Sequence, residues 1–175
     1  MQPVTLNLGS GKDWREDCVN ADIQQRTNPD WWGDISKVHF GATIDTRWGS
    51  MTIQPEMFEK IIANDVLEHI PDLVSAMKNC YDLLKSGGEF HISVPYDLSL
   101  GAWQDPTHVR AFNENSWLYY TEWAWYLGWE KGFKLKELAF DLSELGQKLI
   151  TRQPDDEVIR TPRAVDSMRV VLCKP

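Results

Sequence analysis

The sequence predicts an α/β fold built on a largely parallel sheet. Strand-like and helix-like segments alternate along the chain. An apolar strand runs into a glycine loop at LNLGSG, and a second short strand soon after ends in an acid at VNADI. Further on, a strand, an amphipathic helix and another strand follow one another, the pattern of a βαβ unit.

In chain order, Val4 to Leu8 is the first strand and Cys18 to Asp22 the second. A third, weak element follows Trp31-Trp32 and ends near Asp34-Ile35. Phe58 to Ala63 is the fourth strand. Leu73, Met77, Cys80 and Leu84 recur at helical spacing and define a helix over Pro71 to Ser86. Pro71 suits its first turn, Asp72 complements the positive helix end, and Gly87-Gly88 stops it. Glu89 to Val94 is the fifth strand, with Phe90, Ile92 and Val94 alternating against His91 and Ser93. Asn113 caps a predicted helix over Glu114 to Leu127, closed by Gly128. Phe133 to Leu142 and Ser167 to Cys173 are the last strands, separated by a polar excursion over Thr151 to Val165. No linker or repeat divides the 175 residues, so one domain is expected, with an aromatic-rich insertion at about 96–131.

Composition excludes several classes. A net charge of −8 argues against nonspecific binding to nucleic acid or an anionic membrane. No apolar run approaches the roughly 20 residues that cross a bilayer, so no membrane insertion is expected. The opening Met1-Gln2-Pro3 carries no basic leader, and a cytoplasmic location is expected. Cys18, Cys80 and Cys173 match no metal spacing, and no metal is expected.

The glycine loop needs closer attention. In open α/β sheets ligands bind beyond the carboxyl ends of the strands, where Gly9 and Gly11 would lie. Glycine there permits positive φ and lets a ligand approach the backbone. Asp22, at the next strand end, can accept both hydroxyl hydrogens of a ribose; it reads equally as a strand-end cap. Gly11 and Asp22 are 11 positions apart, where a dinucleotide fingerprint expects about 20. The first crossover is therefore a loop or a single helical turn. Without a helix N-terminus the site suits a ribose and an adenine better than a pyrophosphate. Trp14 or Arg15 is placed to fill the missing wall, or lies plainly at the surface.

Several motifs then agree in order. LNLGSG, VNADI, DWWGDI, IIANDVLEHIPD, CYDLLKSGGEFHISVP and DPTHVRAFNENSW together resemble the class I S-adenosylmethionine-dependent methyltransferases, in particular the small type with a shortened first crossover. The resemblance spans residues 4 to about 117, with IIANDVLEHIPD and DPTHVR its most specific parts. It implies a Rossmann-like, mostly parallel sheet ending in an antiparallel hairpin, with S-adenosyl-L-methionine as cofactor and S-adenosyl-L-homocysteine as product. By the same resemblance Gly9, Ser10 and Gly11 line the methionine moiety, and Asp22, with Ile23 beside it, holds the ribose. Asp34 faces the adenine amino group beside Ile35, and Asn64 and Asp65 lie under the sulfonium.

Methyl transfer to a hydroxyl needs proximity and a base near neutral pH. His108, in DPTHVR, is the first candidate, against the alternative of a purely structural histidine. Arg110 would clamp an anionic acceptor or form a structural ion pair. His69, Tyr96 and Trp103 are candidate acceptor contacts, although capping and packing explain His69 and Tyr96 as well. Five of nine tryptophans fall between Trp103 and Trp129. On the predicted helix Trp117, Tyr120, Ala124 and Leu127 form one face, and Tyr119, Trp123 and Tyr126 another. The second face would complete the core and close a homodimer, or stack against a sugar. The expected activity is methylation of a small-molecule or saccharide acceptor, most simply on oxygen. Two alternatives remain: a cofactor-binding module or partner subunit without transfer, and a nicotinamide-dependent oxidoreductase, which the short spacing disfavours.

Overall fold

The computed structural model describes residues 3–175. Its strands are β1 (Thr5–Leu8), β2 (Val19–Asp22), β3 (Trp31–Trp32), β4 (Thr43–Thr46), β5 (Gly49–Thr52), β6 (Phe58–Asn64), β7 (Leu84–Pro95), β8 (Lys134–Leu142) and β9 (Val165–Cys173). Seven form one sheet in the order β3-β2-β1-β6-β7-β9-β8; β4 and β5 pair as a separate hairpin. All neighbours in the large sheet run parallel except β9, which is antiparallel to both β7 and β8. The expected mostly parallel sheet with a terminal antiparallel hairpin is what forms.

One face of this sheet carries the core. Leu6, Ile61, Ala63, Phe90, Val94, Met168 and Leu172 are fully buried there. Helix α1 (Leu73–Leu83) covers it with Leu73, Ala76, Met77, Cys80 and Leu83, each large one contributing roughly 1.5–3 kcal/mol on burial. Asp72 caps α1 by accepting from Ser75 N–H. The helix is shorter than its sequence pattern suggests. It ends at Leu83 because Leu84 turns extended to pair with Phe58, ahead of the glycines that would otherwise have stopped it.

The opposite face is bare. Lys60, Ile62, Asn64, His91, Ser93, Glu137, Arg169 and Val171 line an open depression of about 350 Å³ there, joined by Arg15 and by no helical residue. A parallel sheet is ordinarily covered on both faces and reads as continuous apolar strands. Here the strands alternate, apolar inward and, Ile62 and Val171 apart, polar outward, so the uncovered face is largely suited to water.

The segment over Glu114–Tyr120 and Ala124–Leu127 is two 3₁₀ turns rather than one α-helix. Asn113 forms the capping box with Ser116, and Gly128 closes the second turn at φ 75°. Between them Thr121, at φ −119° and ψ −99°, leaves the helical region and breaks the run. The predicted faces survive: Trp117, Tyr120 and Ala124 are buried, while Tyr119, Trp123 and Tyr126 are exposed. The polar excursion contains the short α4 (Asp155–Ile159), preceded by α3 (Glu144–Leu149); an earlier single turn, α2 (Gly101–Gln104), follows β7.

Candidate active site

The carboxyl ends of β1 and β6 meet where the strand order reverses, the place such sheets bind ligands. Gly9 adopts φ 64° and Gly11 φ 39°, left-handed values that L side chains adopt at a penalty. A Cβ on Gly9 would also overlap the Val66 side chain, so the loop after β1 and the turn after β6 touch. Asp22, almost wholly buried, accepts from Gly11 N–H (2.8 Å) through one oxygen and from Gln24 N–H (2.7 Å) through the other. Each oxygen keeps a lone pair for a ligand hydroxyl. Ser10 Oγ is buried without a hydrogen-bond partner among the described residues.

No helix joins β1 to β2, and polar contacts replace it. Asn7 Nδ2 donates to the Asp13 carbonyl (2.6 Å) and to Asn20 Oδ1 (3.0 Å). Asn20 in turn accepts from Arg15 N–H (3.0 Å) and donates to the Arg15 carbonyl (2.7 Å). Arg47, at the tip of the β4–β5 hairpin, donates through Nη2 to the carbonyls of Arg15 and Cys18, both at 2.8 Å. Its Nε lies 3.5 Å from Asp30. Its guanidinium is sandwiched 3.9 Å from the rings of Trp14 and Trp48. The hairpin thus clamps the crossover from outside, and Trp14 is one jaw. Sequence reading had no element at 43–52.

Asp34 caps the 3₁₀ turn Ile35–Lys37 and accepts from both N–H and Oγ of Ser36. Against the pull of burial, these bonds and Lys37 hold its carboxyl below the usual range. Ile35 is buried beneath this turn. Ile23 and Trp32, by contrast, leave large apolar surfaces exposed beside Asp22, and Trp32 Nε1 donates to the Ile23 carbonyl (3.0 Å). They offer walls for a flat ring. Trp32 was not singled out from sequence, although its place after Trp31 in a two-residue strand alternates it outward. Asn64 Nδ2 reaches Asp13 at 3.4 Å, and Asp65 sits at φ 52°, a non-glycine in the left-handed region directly after β6.

On the other side of Asp65 the chain builds a second cluster. Glu68 is 1% exposed, and neither carboxylate oxygen has a hydrogen-bond partner among the described residues. Burial pushes its carboxyl up to about 7, with Asp65 and Asp105 adding to the rise and His108 opposing it. His108 Nε2 lies 3.9 Å from Glu68 Oε1, and its Nδ1 is 2.9 Å from the Ala102 carbonyl. A carbonyl only accepts, so Nδ1 carries a proton, and in the neutral ring Nε2 keeps its lone pair. His69 packs edge-on to His108 at 4.6 Å between centroids. The DPTHVR loop is fastened onto LEHIP by Val109 N–H to the Glu68 carbonyl (2.9 Å) and by Arg110 Nη2 to the carbonyls of Ile70 (2.8 Å) and Pro71 (2.7 Å). Arg110 therefore holds the loop that presents His108.

Tyr96 is buried and donates its hydroxyl to Glu114 (2.7 Å); burial, and then that carboxylate, push its phenol up. Trp103 projects from α2 with its ring exposed. The structure thus brings His108, His69 and Glu68 together, with Arg110 behind them, and holds Tyr96 in packing. Glu68 is the member that the sequence pattern did not offer as a site residue. Its signal was an acid between Leu67 and Ile70, on a turn that must face inward.

The residues fit an adenosyl cofactor: Asp22 has open lone pairs, Ser10 Oγ is orphaned, and apolar walls stand at Ile23 and Trp32. Sheet order, glycine loop and strand-end acid give the fold of the class I S-adenosylmethionine-dependent methyltransferases. The family described as "Methyltransferase domain" matches residues 9–92. No curated protein matches the sequence. Among solved structures, a SAM-dependent methyltransferase from Archaeoglobus fulgidus shares 16% identity, covering 97% of this chain and 85% of that one at a TM-score of 0.61. An S-adenosylmethionine-dependent methyltransferase from Mesorhizobium loti shares 13%, covering 98% and 91% at 0.56. The [4+2]-cyclase SpnF shares 12%, covering 98% and 75% at 0.61. At these identities the likeness is one of fold. No described helix is long and apolar enough to cross a membrane.

Proposed function

We propose that the protein transfers a methyl group from S-adenosylmethionine to a hydroxyl oxygen of a small-molecule or saccharide acceptor. The observation that carries this is the contact of Val66 with Gly9, which joins the cofactor loop to the Glu68–His69–His108 cluster that begins two residues further along. When bound, the cofactor supplies an electrophilic methyl on a sulfonium, which leaves its electron pair on sulfur as the new C–O bond forms. Asp22 holds the ribose, Ile23 and Trp32 flank the adenine with Asp34 at its edge, and Gly9 to Gly11 meet the methionine part. The acceptor hydroxyl is activated at His108, whose Nε2 lone pair is fixed by the Nδ1 bond to Ala102. Four rings, Tyr119, Trp123, Trp125 and Tyr126, line an exposed cleft of about 300 Å³, which supports an acceptor with a sugar face.

A labelled-methyl transfer screen across sugars, nucleotide sugars and small hydroxy acids tests this, paired with calorimetric titration of S-adenosylmethionine. Absence of both binding and transfer sinks it. One other reading is cofactor binding without transfer, which needs the Asp22 site but no base at His108. That reading expects His108→Ala to leave biological output intact while Asp22→Ala abolishes it.

A further inference from the structure

The Glu68–His69–His108 cluster has an unresolved electrostatic feature. One ligand atom from each residue lies within 4.8 Å of the other two. His108 turns its lone-pair nitrogen toward Glu68, because its proton is committed to the Ala102 carbonyl. His69 Nδ1 lies 2.9 Å from Thr107 Oγ1, which itself donates to Asp105 Oδ1 at 2.7 Å. That hydroxyl has one proton and gives it to the carboxylate, so Nδ1 of His69 is the donor and its Nε2 keeps the lone pair. Glu68 brings a carboxylate that is buried and unpartnered. Lone-pair atoms of two imidazoles and a buried carboxyl group without a hydrogen-bond partner among the described residues therefore gather at one point.

We propose that Glu68, His69 and His108 bind a divalent first-row transition-metal ion. Three atoms no more than 4.8 Å apart share a point within about 2.8 Å of each. Bonds of about 2.0–2.2 Å then require each ligand to move inward by about 0.7 Å. Two imidazoles and one carboxylate favour such an ion over Mg²⁺ or Ca²⁺, which prefer all-oxygen shells. The Nδ1 atoms of both rings already have partners, the Ala102 carbonyl for His108 and Thr107 Oγ1 for His69, which leaves the two Nε2 atoms for a metal. Three protein ligands leave positions open. Resting on the methyltransferase reading, those positions hold the acceptor: a coordinated hydroxyl loses its proton to water more readily, and its oxygen then attacks the methyl carbon. This replaces the expectation of a metal-free site and makes His108 a ligand through Nε2 instead of the base that takes the acceptor's proton.

Chelator-stripped protein titrated with Co²⁺, without S-adenosylmethionine, tests the site by visible d–d absorption. The expected result is one equivalent bound, with affinity falling at least about tenfold in His69→Ala and in Glu68→Gln. His69 is exposed, so its variant keeps the fold even if the Glu68 change does not. No Co²⁺ signal up to millimolar concentration overturns the proposal, as does unchanged affinity in folded His69→Ala. The two readings fail separately. Co²⁺ binding without methyl transfer keeps the metal site and removes the enzyme. Methyl transfer that survives chelation, with no Co²⁺ bound, removes the metal site and keeps the enzyme.

Discussion

Replacing Arg47 with alanine should loosen the cofactor loop from a distance. Its guanidinium donates two hydrogen bonds, to the carbonyls of Arg15 and Cys18, and stands between two indole rings. Hydrogen bonds from charged donors contribute about 1.5–3 kcal/mol each, and exposed cation–π contacts about 0.5–1. Shared geometry makes these less than additive, and both carbonyls regain water when the arginine goes. A net loss of about 2–4 kcal/mol is expected, part of it from leaving Asp30 without its 3.5 Å partner in a nearly buried position. Arg47→Lys should recover only part, because an ammonium lacks the planar fork that reaches two carbonyls while lying flat between rings. Urea unfolding gives the stability change, and calorimetry the S-adenosylmethionine affinity. Both should fall, because the crossover that Arg47 holds also ends in the strand bearing Asp22. A stability loss under about 0.5 kcal/mol in Arg47→Ala would refute the idea that this hairpin stands in for the missing helix.

Further changes probe the site itself. Gly9→Ala combines a left-handed backbone with overlap onto Val66, and should lower Tm and abolish cofactor binding; adding Val66→Ala should restore part of the stability. Asp22→Ala removes the acceptor of two backbone N–H bonds as well as the ribose contact, and S-adenosylmethionine affinity measured by calorimetry should fall at least tenfold, about 1.4 kcal/mol. Trp125→Ser with Tyr126→Ser removes the two most exposed rings of the aromatic cleft. If that cleft closes a homodimer, sedimentation will show the variant dissociated; if it serves a sugar, KM for the acceptor will rise with the oligomeric state unchanged.

The sheet was legible because its signals are local. Leu6, Ile61 and Phe90 sit in apolar runs bounded by glycines or acids, and α1 declares itself by its stripe. The predicted faces of the aromatic segment held although its helix type did not, because residues three and four apart fall together in either geometry. The β4–β5 hairpin was hidden by composition. TIDT and GSMT carry only Ile44 and Met51 as apolar partners, and the turn between them is marked only by Gly49 at φ 101°. Its value lies in Arg47, whose partners are 29 and 32 positions away and leave no periodic trace. Glu68 shows the same limit. Its position was visible, but the missing partner that makes it reactive exists only once the DPTHVR loop closes over it.

The bare face of the sheet has a consequence for how the chain tolerates change. Ile61, Ala63, Phe90, Ile92 and Val170 point into the single core layer, and their neighbours Lys60, Ile62, His91, Ser93 and Arg169 line the open side. Variation along these strands should therefore be filtered one residue on, one residue off. A library of single substitutions would print that alternation directly onto the central parallel strands, where a sheet roofed by helices on both sides would give two uniformly intolerant rows.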